Sequence, residues 1–129
     1  MIFLKLIKNL TLFAVGAVCY PVIEILWRGR THISMAFTGG AVFVALYRFY
    51  KKYRELRLVR RCVCGSLIIT FFELICGMLV NRALMLDVWD YSKNRFNFKG
   101  QICLGYSLLW ALLCAPVSAL CRRIAKSKV

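Results

Sequence analysis

Four long apolar stretches organise the chain, each separated from the next by charged or turn-forming residues. They run from Asn9 to Trp27, from Ile33 to Tyr50, from Cys62 to Asn81 and from Ile102 to Leu120. At ~1.5 Å rise per residue, each makes a helix of ~27–30 Å, the thickness of a bilayer's hydrocarbon core. The fourth has no charge inside it, whereas the second contains Gly39-Gly40 and Arg48. The pattern predicts an all-α polytopic membrane protein with four transmembrane helices, forming a single integral membrane domain over residues 1–129.

Small and polar residues recur at helical spacing within these stretches. Ser66, Thr70, Glu73, Gly77 and Asn81 share one face of the third. Cys103, Ser107, Ala111, Cys114 and Ser118 form a similar stripe in the fourth, as do Ser34, Thr38, Ala41 and Ala45 in the second. Asn9, Tyr20, Glu24 and Arg28 line up in the first. Small and weakly polar stripes are the usual packing faces of membrane helices, and that explanation covers everything here except the glutamates.

The halves of the chain also resemble each other. VIEILWR (22–28) lies over FFELICG (71–77), and each acid is followed by a turn and a returning helix. The repeat would consist of two parallel hairpins, giving a four-helix bundle with Glu24 and Glu73 on a shared internal surface.

Composition strengthens the membrane reading. The chain is 61% hydrophobic and 19% charged, with mean hydropathy +0.68. So short a chain cannot hide that much apolar surface in its own interior, which excludes an ordinary soluble domain. The net charge is +14. In a soluble protein this would suggest nucleic acid; here it is a topology signal and an attraction to anionic lipid, and no nucleic-acid partner is expected. Thirteen of the 19 basic residues (Lys5, Lys8, Arg48, Lys51, Lys52, Arg54, Arg57, Arg60, Arg61, Arg122, Arg123, Lys126 and Lys128) fall on one side of the four spans. Arg28, Arg30, Arg82, Lys93, Arg95 and Lys99 fall on the other. This predicts cytoplasmic N- and C-termini in a cell membrane, with the 86–101 loop outside. The first span continues to Leu26, and Val18 is too bulky to precede a lipidated Cys19, so it reads as a retained helix. The seven cysteines lie in or near spans and read as small apolar residues, with Cys62, Cys64 and Cys121 near the cytoplasmic edge.

The acidic residues need a separate explanation. Glu73 lies 12 residues after Arg61, ~18 Å into the bilayer. An ionisable group there costs ~2.5–3.5 kcal/mol even on the gentlest insertion scale. It is tolerated if it faces the bundle, is paired or is protonated; it is either a proton- or cation-linked site or a hydrogen-bonded strut. Glu24 is shallower, with Arg28 at i+4 for an interfacial ion pair. The outer loop, with Trp89, Asp90, Tyr91, Ser92, Arg95, Asn97 and Lys99, combines interfacial aromatics with basic residues. Together with Arg82 it would attract anions such as lipid phosphate. Asp90 and Ser92 can close a turn through their own backbone. The loop is an aromatic belt with charged anchors or an outer vestibule shaped by Asp90, Arg82 and Lys99. His32 is the only histidine, and no metal or cofactor motif is present.

Several of these residues stand in a familiar order. Tyr20-x3-Glu24, Arg28-Gly29, Ser34-Met35 and Gly39-Gly40 are followed by Glu73-x3-Gly77 and Trp89-Asp90-Tyr91-Ser92. Asn97-x2-Gly100-x-Ile102-x-Leu104 and Trp110 complete the set. This resembles the "putative ABC-transporter type IV" family, also called CmpB-like, over residues 12–115. The resemblance implies a small multi-pass membrane protein connected with transport. It carries no catalytic residue with it. The 129 residues contain no Walker A sequence, so any ATPase is expected on a separate polypeptide.

Three functions remain open on these residues. One is a small transporter or channel component with Glu73 as its embedded site and Glu24 as a second acid, built as a homo-oligomer because four short helices enclose little space. Another is a lipid-organising or partner-binding scaffold. The third is a membrane-embedded enzyme using Glu24, Glu73, His32 or Asp90 on a lipid-linked substrate, a sparse set that makes the non-enzymatic readings preferable.

Overall fold

The computed structural model of the chain describes residues 2–29, 31–86, 89–90, 92–93 and 95–126, leaving out the side chains of Trp27, Arg28 and Lys126. Helix α1 spans Ile2–Arg28, α2 Ile33–Lys52, α3 Leu58–Gly77 and α4 Leu104–Lys126. All four are long and apolar enough to cross a membrane, α3 together with the π-helical turn Met78–Ala83 that extends it. A short antiparallel pair, β1 Asn97–Phe98 with β2 Ile102–Cys103, precedes α4. The fold is therefore the all-α, multi-pass architecture expected from the hydrophobic pattern.

The helices outrun the apolar stretches at several ends. α1 begins before Lys5 and Lys8, and α4 continues past Arg122 and Arg123. Loss of hydrophobicity marks where lipid ends, not where backbone hydrogen bonding ends. At the start of α4 the difference runs the other way. Ile102 and Cys103 are strand, because their backbone pairs with Phe98 and Asn97.

Two hairpins build the bundle. In the first, α1 ends at Gly29, whose φ of +80° places it in the left-handed region, and its N–H reaches the Ile25 carbonyl at 2.9 Å. His32 then caps α2: its extended backbone turns the ring so that Nδ1 accepts the Ser34 N–H at 3.1 Å. That satisfies one of the donors a helix start leaves open. The histidine considered as an acid–base group thus has a structural task.

α1 and α2 touch backbone to backbone. A Cβ on Gly39 would lie 2.5 Å from the Tyr20 Cβ and 2.6 Å from the Gly16 carbonyl oxygen. A Cβ on Gly16 would run into the Gly39 carbonyl, and one on Gly40 would sit 2.8 Å from the Phe13 ring. Gly39-Gly40, an apparent weakness of the second stretch, is what lets the helices approach.

In the second hairpin the polar stripes face each other. The Ser66 hydroxyl donates to the Ser107 carbonyl, and Thr70 and Ser107 hydroxyls meet at 2.8 Å. Gly65 leaves room for the Tyr50 hydroxyl and the Cys114 sulfur. At the end carrying both termini, Tyr50 donates to the Arg61 carbonyl at 2.7 Å, and Arg61 Nε reaches Ser118 Oγ at 3.0 Å. Three helices are thereby tied at one corner. Leu46, Tyr47, Ile69, Trp110, Cys114 and Cys121 fill the main core, and Met35, Trp89 and Cys103 form a smaller one at the loop end.

The glycine contact predicts a specific sensitivity. Gly39→Ala should destabilise the protein by ~1–3 kcal/mol through overpacking. Gly105→Ala, where a Cβ meets nothing within 4 Å, should be neutral or stabilising. Thermal unfolding of both variants in detergent checks the pair, and equal Tm values would contradict the crossing.

Candidate functional site

Glu73 and Glu24 sit inside the bundle, 5% and 6% exposed. Each lies four residues before the end of its α-helix, Glu24 before Arg28 and Glu73 before Gly77. The Trp110 indole N–H donates toward Glu73 Oε1 at 3.5 Å, and the Thr31 hydroxyl toward Glu24 Oε1 at 3.4 Å. The Thr38 hydroxyl donates to the Cys76 sulfur at 3.0 Å. Ile23, Trp110 and Leu113 border the surroundings of both acids, which brings the two into one neighbourhood. The expected Glu24–Arg28 ion pair falls on a side chain outside those described.

Each acid lines a cavity. That of Glu73 measures about 200 Å³ and is walled by all four helices, with Tyr20, Thr38, Ile69 and Trp110 among its lining. That of Glu24 measures about 290 Å³ and lies between α1 and α4, with Tyr106, Leu109 and Trp110. Ile23, Trp110 and Leu113 belong to both, so the cavities adjoin. The Trp110 ring lies 5.9 Å from Tyr20 and 6.1 Å from Tyr106. An aromatic wall thus stands beside both carboxylates.

The loop residues form a separate structure, a cap over the end of α3. Trp89 is buried, and its indole N–H donates to the Gln101 carbonyl at 2.9 Å. Asn81, carried on the π turn, donates to Gln101 Oε1 at 2.9 Å, while its own Oδ1 receives the Trp89 N–H at 3.4 Å. Gly77 admits this assembly, since a Cβ there would press on Gln101 and on the Trp89 ring at 2.9 Å. Asn97 closes the next turn: its Oδ1 accepts the Gly100 N–H at 3.0 Å and its amide donates to the Ser92 carbonyl at 3.2 Å. Asp90 Oδ1 accepts the Ser92 N–H at 2.9 Å. That bond, with the Ser92 hydroxyl, holds the Asp90 carboxyl below the usual carboxylate range. Gly100 takes φ +73°, and Phe96 and Lys99 also adopt left-handed backbone, near φ +55° and +54°.

Of the candidate residues, then, Glu73 and Glu24 converge, and Trp89, Asp90 and Asn97 are bound into the cap. Arg82 and Lys99 are exposed, the latter with its ammonium 5.5 Å from the Phe98 ring centroid. Tyr91 lies outside the described residues. Among those described, no group of three or more metal-ligating side chains gathers. Sequence reasoning missed Gln101 and the wall role of Trp110. Gln101 is the only glutamine in the chain, and its place beside Gly100 at the mouth of an apolar span was the available signal.

A family model described as "Putative ABC-transporter type IV" matches residues 12–129. No solved structure matches the chain.

Two measurements test the cap. Gln101→Ala removes the acceptor of the Asn81 amide and should cost ~1–3 kcal/mol of stability, read as a lowered Tm against an unaffected Lys99→Ala control. Asp90 has the opposite pH logic to a histidine. Its carboxyl is depressed in the folded loop, so its contribution is present above the ordinary carboxylate pKa and is lost as pH falls through the folded value. Protection of the Ser92 amide against hydrogen exchange, taken relative to its pH-dependent intrinsic rate, should therefore fall on acidification in the wild type and be already low in Asp90→Ala.

Proposed function

The chain belongs to this family, and on that footing we propose that it is a transport component of the membrane whose working group is the Glu73 carboxylate. The observation that carries the reading is the placement of that carboxylate. It is 5% exposed yet lines a cavity of about 200 Å³ walled by four helices. A buried acid held only for architecture is costly against an apolar residue of similar volume, whereas one bordering open space has a surface on which to exchange ligands.

Glu24 is the second acid of the same pathway, since its cavity adjoins that of Glu73. The basic 48–61 segment faces the cytoplasm together with both termini, where Arg48, Lys51, Lys52 and Arg54 border an open groove suited to anionic lipid headgroups. The outer loop bears the cap. A transport pathway between protomers of a homo-oligomer fits a chain whose own bundle encloses so little volume. The family's description speaks of an ABC transporter; these 129 residues hold no Walker A sequence, so the ATP-hydrolysing unit lies outside them.

The test is a thermal-shift screen of the purified protein against inorganic cations and small metabolites, followed by uptake of each stabilising solute into proteoliposomes. Wild type should be stabilised by at least one solute and move it. Glu73→Gln should lose the movement while keeping a wild-type-like or higher Tm. Undiminished uptake by that variant removes Glu73 from the mechanism.

A further inference from the structure

The chain carries 19 basic residues and only five acids, and two of those acids are buried behind an apolar rim. The positive surface repels an inorganic cation approaching from water. The interior beyond it has the opposite character. The two acids line the adjoining cavities together with Tyr20, Tyr106 and Trp110, and the faces of such rings attract cations most strongly where water is excluded. The route inward is lateral. Val15, Cys19, Ile23, Leu109 and Leu120 line the cavities and are themselves exposed on the apolar flank, so the openings give onto the lipid-facing surface between α1 and α4.

Volume and helix chemistry agree with this. Singly the cavities are small; joined through Ile23, Trp110 and Leu113, they fall within the ~300–1,000 Å³ of small-molecule sites. The two prolines of the chain, Pro21 and Pro116, lie inside α1 and α4, the helices flanking the opening, and in neither of the others. Each removes one intrahelical hydrogen bond beside the opening.

We propose that the adjoining α1–α4 cavities are a binding site for a lipophilic organic cation that enters from the bilayer. Glu73 and Glu24 supply the opposite charge, and Tyr20, Tyr106 and Trp110 supply the ring faces. A quaternary ammonium with an alkyl tail satisfies each feature. Its head has no need of hydrogen-bond donors, its charge meets carboxylates and rings, and its tail remains in the apolar opening. A small hydrated cation has no means of shedding its water along an apolar rim, and an anion meets the two acids. The inference deepens the transport reading and rests on it for what binding is used to do.

The test is isothermal titration calorimetry of the purified protein in an uncharged maltoside detergent, with hexyltrimethylammonium as the probe. Its carbon isostere, in which the charged nitrogen is replaced by carbon, and hexanesulfonate serve as controls. Saturable binding of the cation is expected, with the isostere at least ~10-fold weaker and the sulfonate undetectable, since the loss falls on desolvated charge and ring contacts. Glu73→Gln should weaken the cation at least ~10-fold and leave the isostere unchanged. Ile23→Trp, at a half-exposed position lining both cavities, should block both by bulk without altering any charge. Arg95→Glu, in the loop, should change neither. Equal binding of cation and isostere overturns the proposal, as does cation binding that survives both Glu73→Gln and Ile23→Trp. Micelles support no flux, so binding is read apart from transport. A cation that binds while proteoliposomes move neither it nor any other solute upholds the site and removes the transport reading. Glu73-dependent movement of another solute, with no cation bound, overturns the site and leaves transport standing.

Discussion

The contact between Gly16 and Gly39 sets the position of everything on the α1 side of the molecule. In lipid, helices gain little from hydrophobic association, because hydrocarbon tails are as apolar as leucine. What remains is close packing, and the absence of a Cβ at both positions brings two backbones together. Only 11% of the apolar window of α1 is buried, against 39% for α2. α1 therefore hangs chiefly on that one crossing, with the Tyr20 ring reaching over to Trp110. Where α1 rests on α2 decides how far it stands from α4, and hence whether there is a cavity at Glu73 or a closed seam. The two glycines, which also line the Glu73 cavity, thus govern its shape through the backbone crossing.

Much of this was legible in the sequence, and the reasons are physical. Lipid demands long apolar helices, so the four-helix architecture follows from hydropathy. A membrane helix must also pack its small and polar residues inward. The stripe Ser66, Thr70, Glu73, Gly77 and Asn81 accordingly proves to be one continuous contact surface, meeting Ser107, Trp110 and Gln101 in turn. The buried placement of Glu24 and Glu73 follows from the same rule. The cap was not legible. Its hydrogen bonds join Asn81 to Gln101 and Trp89 across twenty and eight residues of chain, and no period of helix or strand encodes such spacing. Asp90 was legible in two ways, as a vestibule acid and as a residue able to close a turn with Ser92, and the folded loop uses its oxygen for the turn. Asn97, a candidate binding residue by its place in the loop, spends its oxygen on the Gly100 N–H.

The cap also explains an asymmetry between the hairpins. Both acids stand four residues before the end of an α-helical stretch. The first hairpin then closes at once through Gly29 and His32, in four residues. The second continues through a π turn into twenty residues of loop and strand pair, and the wider helical register delivers Asn81 to Gln101. Glu24 thus stands beside a short turn, with the Thr31 hydroxyl 3.4 Å from its carboxylate, whereas the helix turn after Glu73 is overlaid at Gly77 by Trp89 and Gln101.

That difference gives the two carboxylates distinct surroundings along one shared wall. Trp110 borders both cavities and donates toward Glu73, so a charge beside Glu24 and a charge beside Glu73 compete for the same ring. Interacting sites of this kind do not fill independently. A cation held at one carboxylate raises the cost of a second at the other, because the low-dielectric interior screens their repulsion poorly. On the proposed reading, a cation at one carboxylate disfavours a second at the other, and that mutual repulsion across Trp110 would ease the release on which any pathway depends.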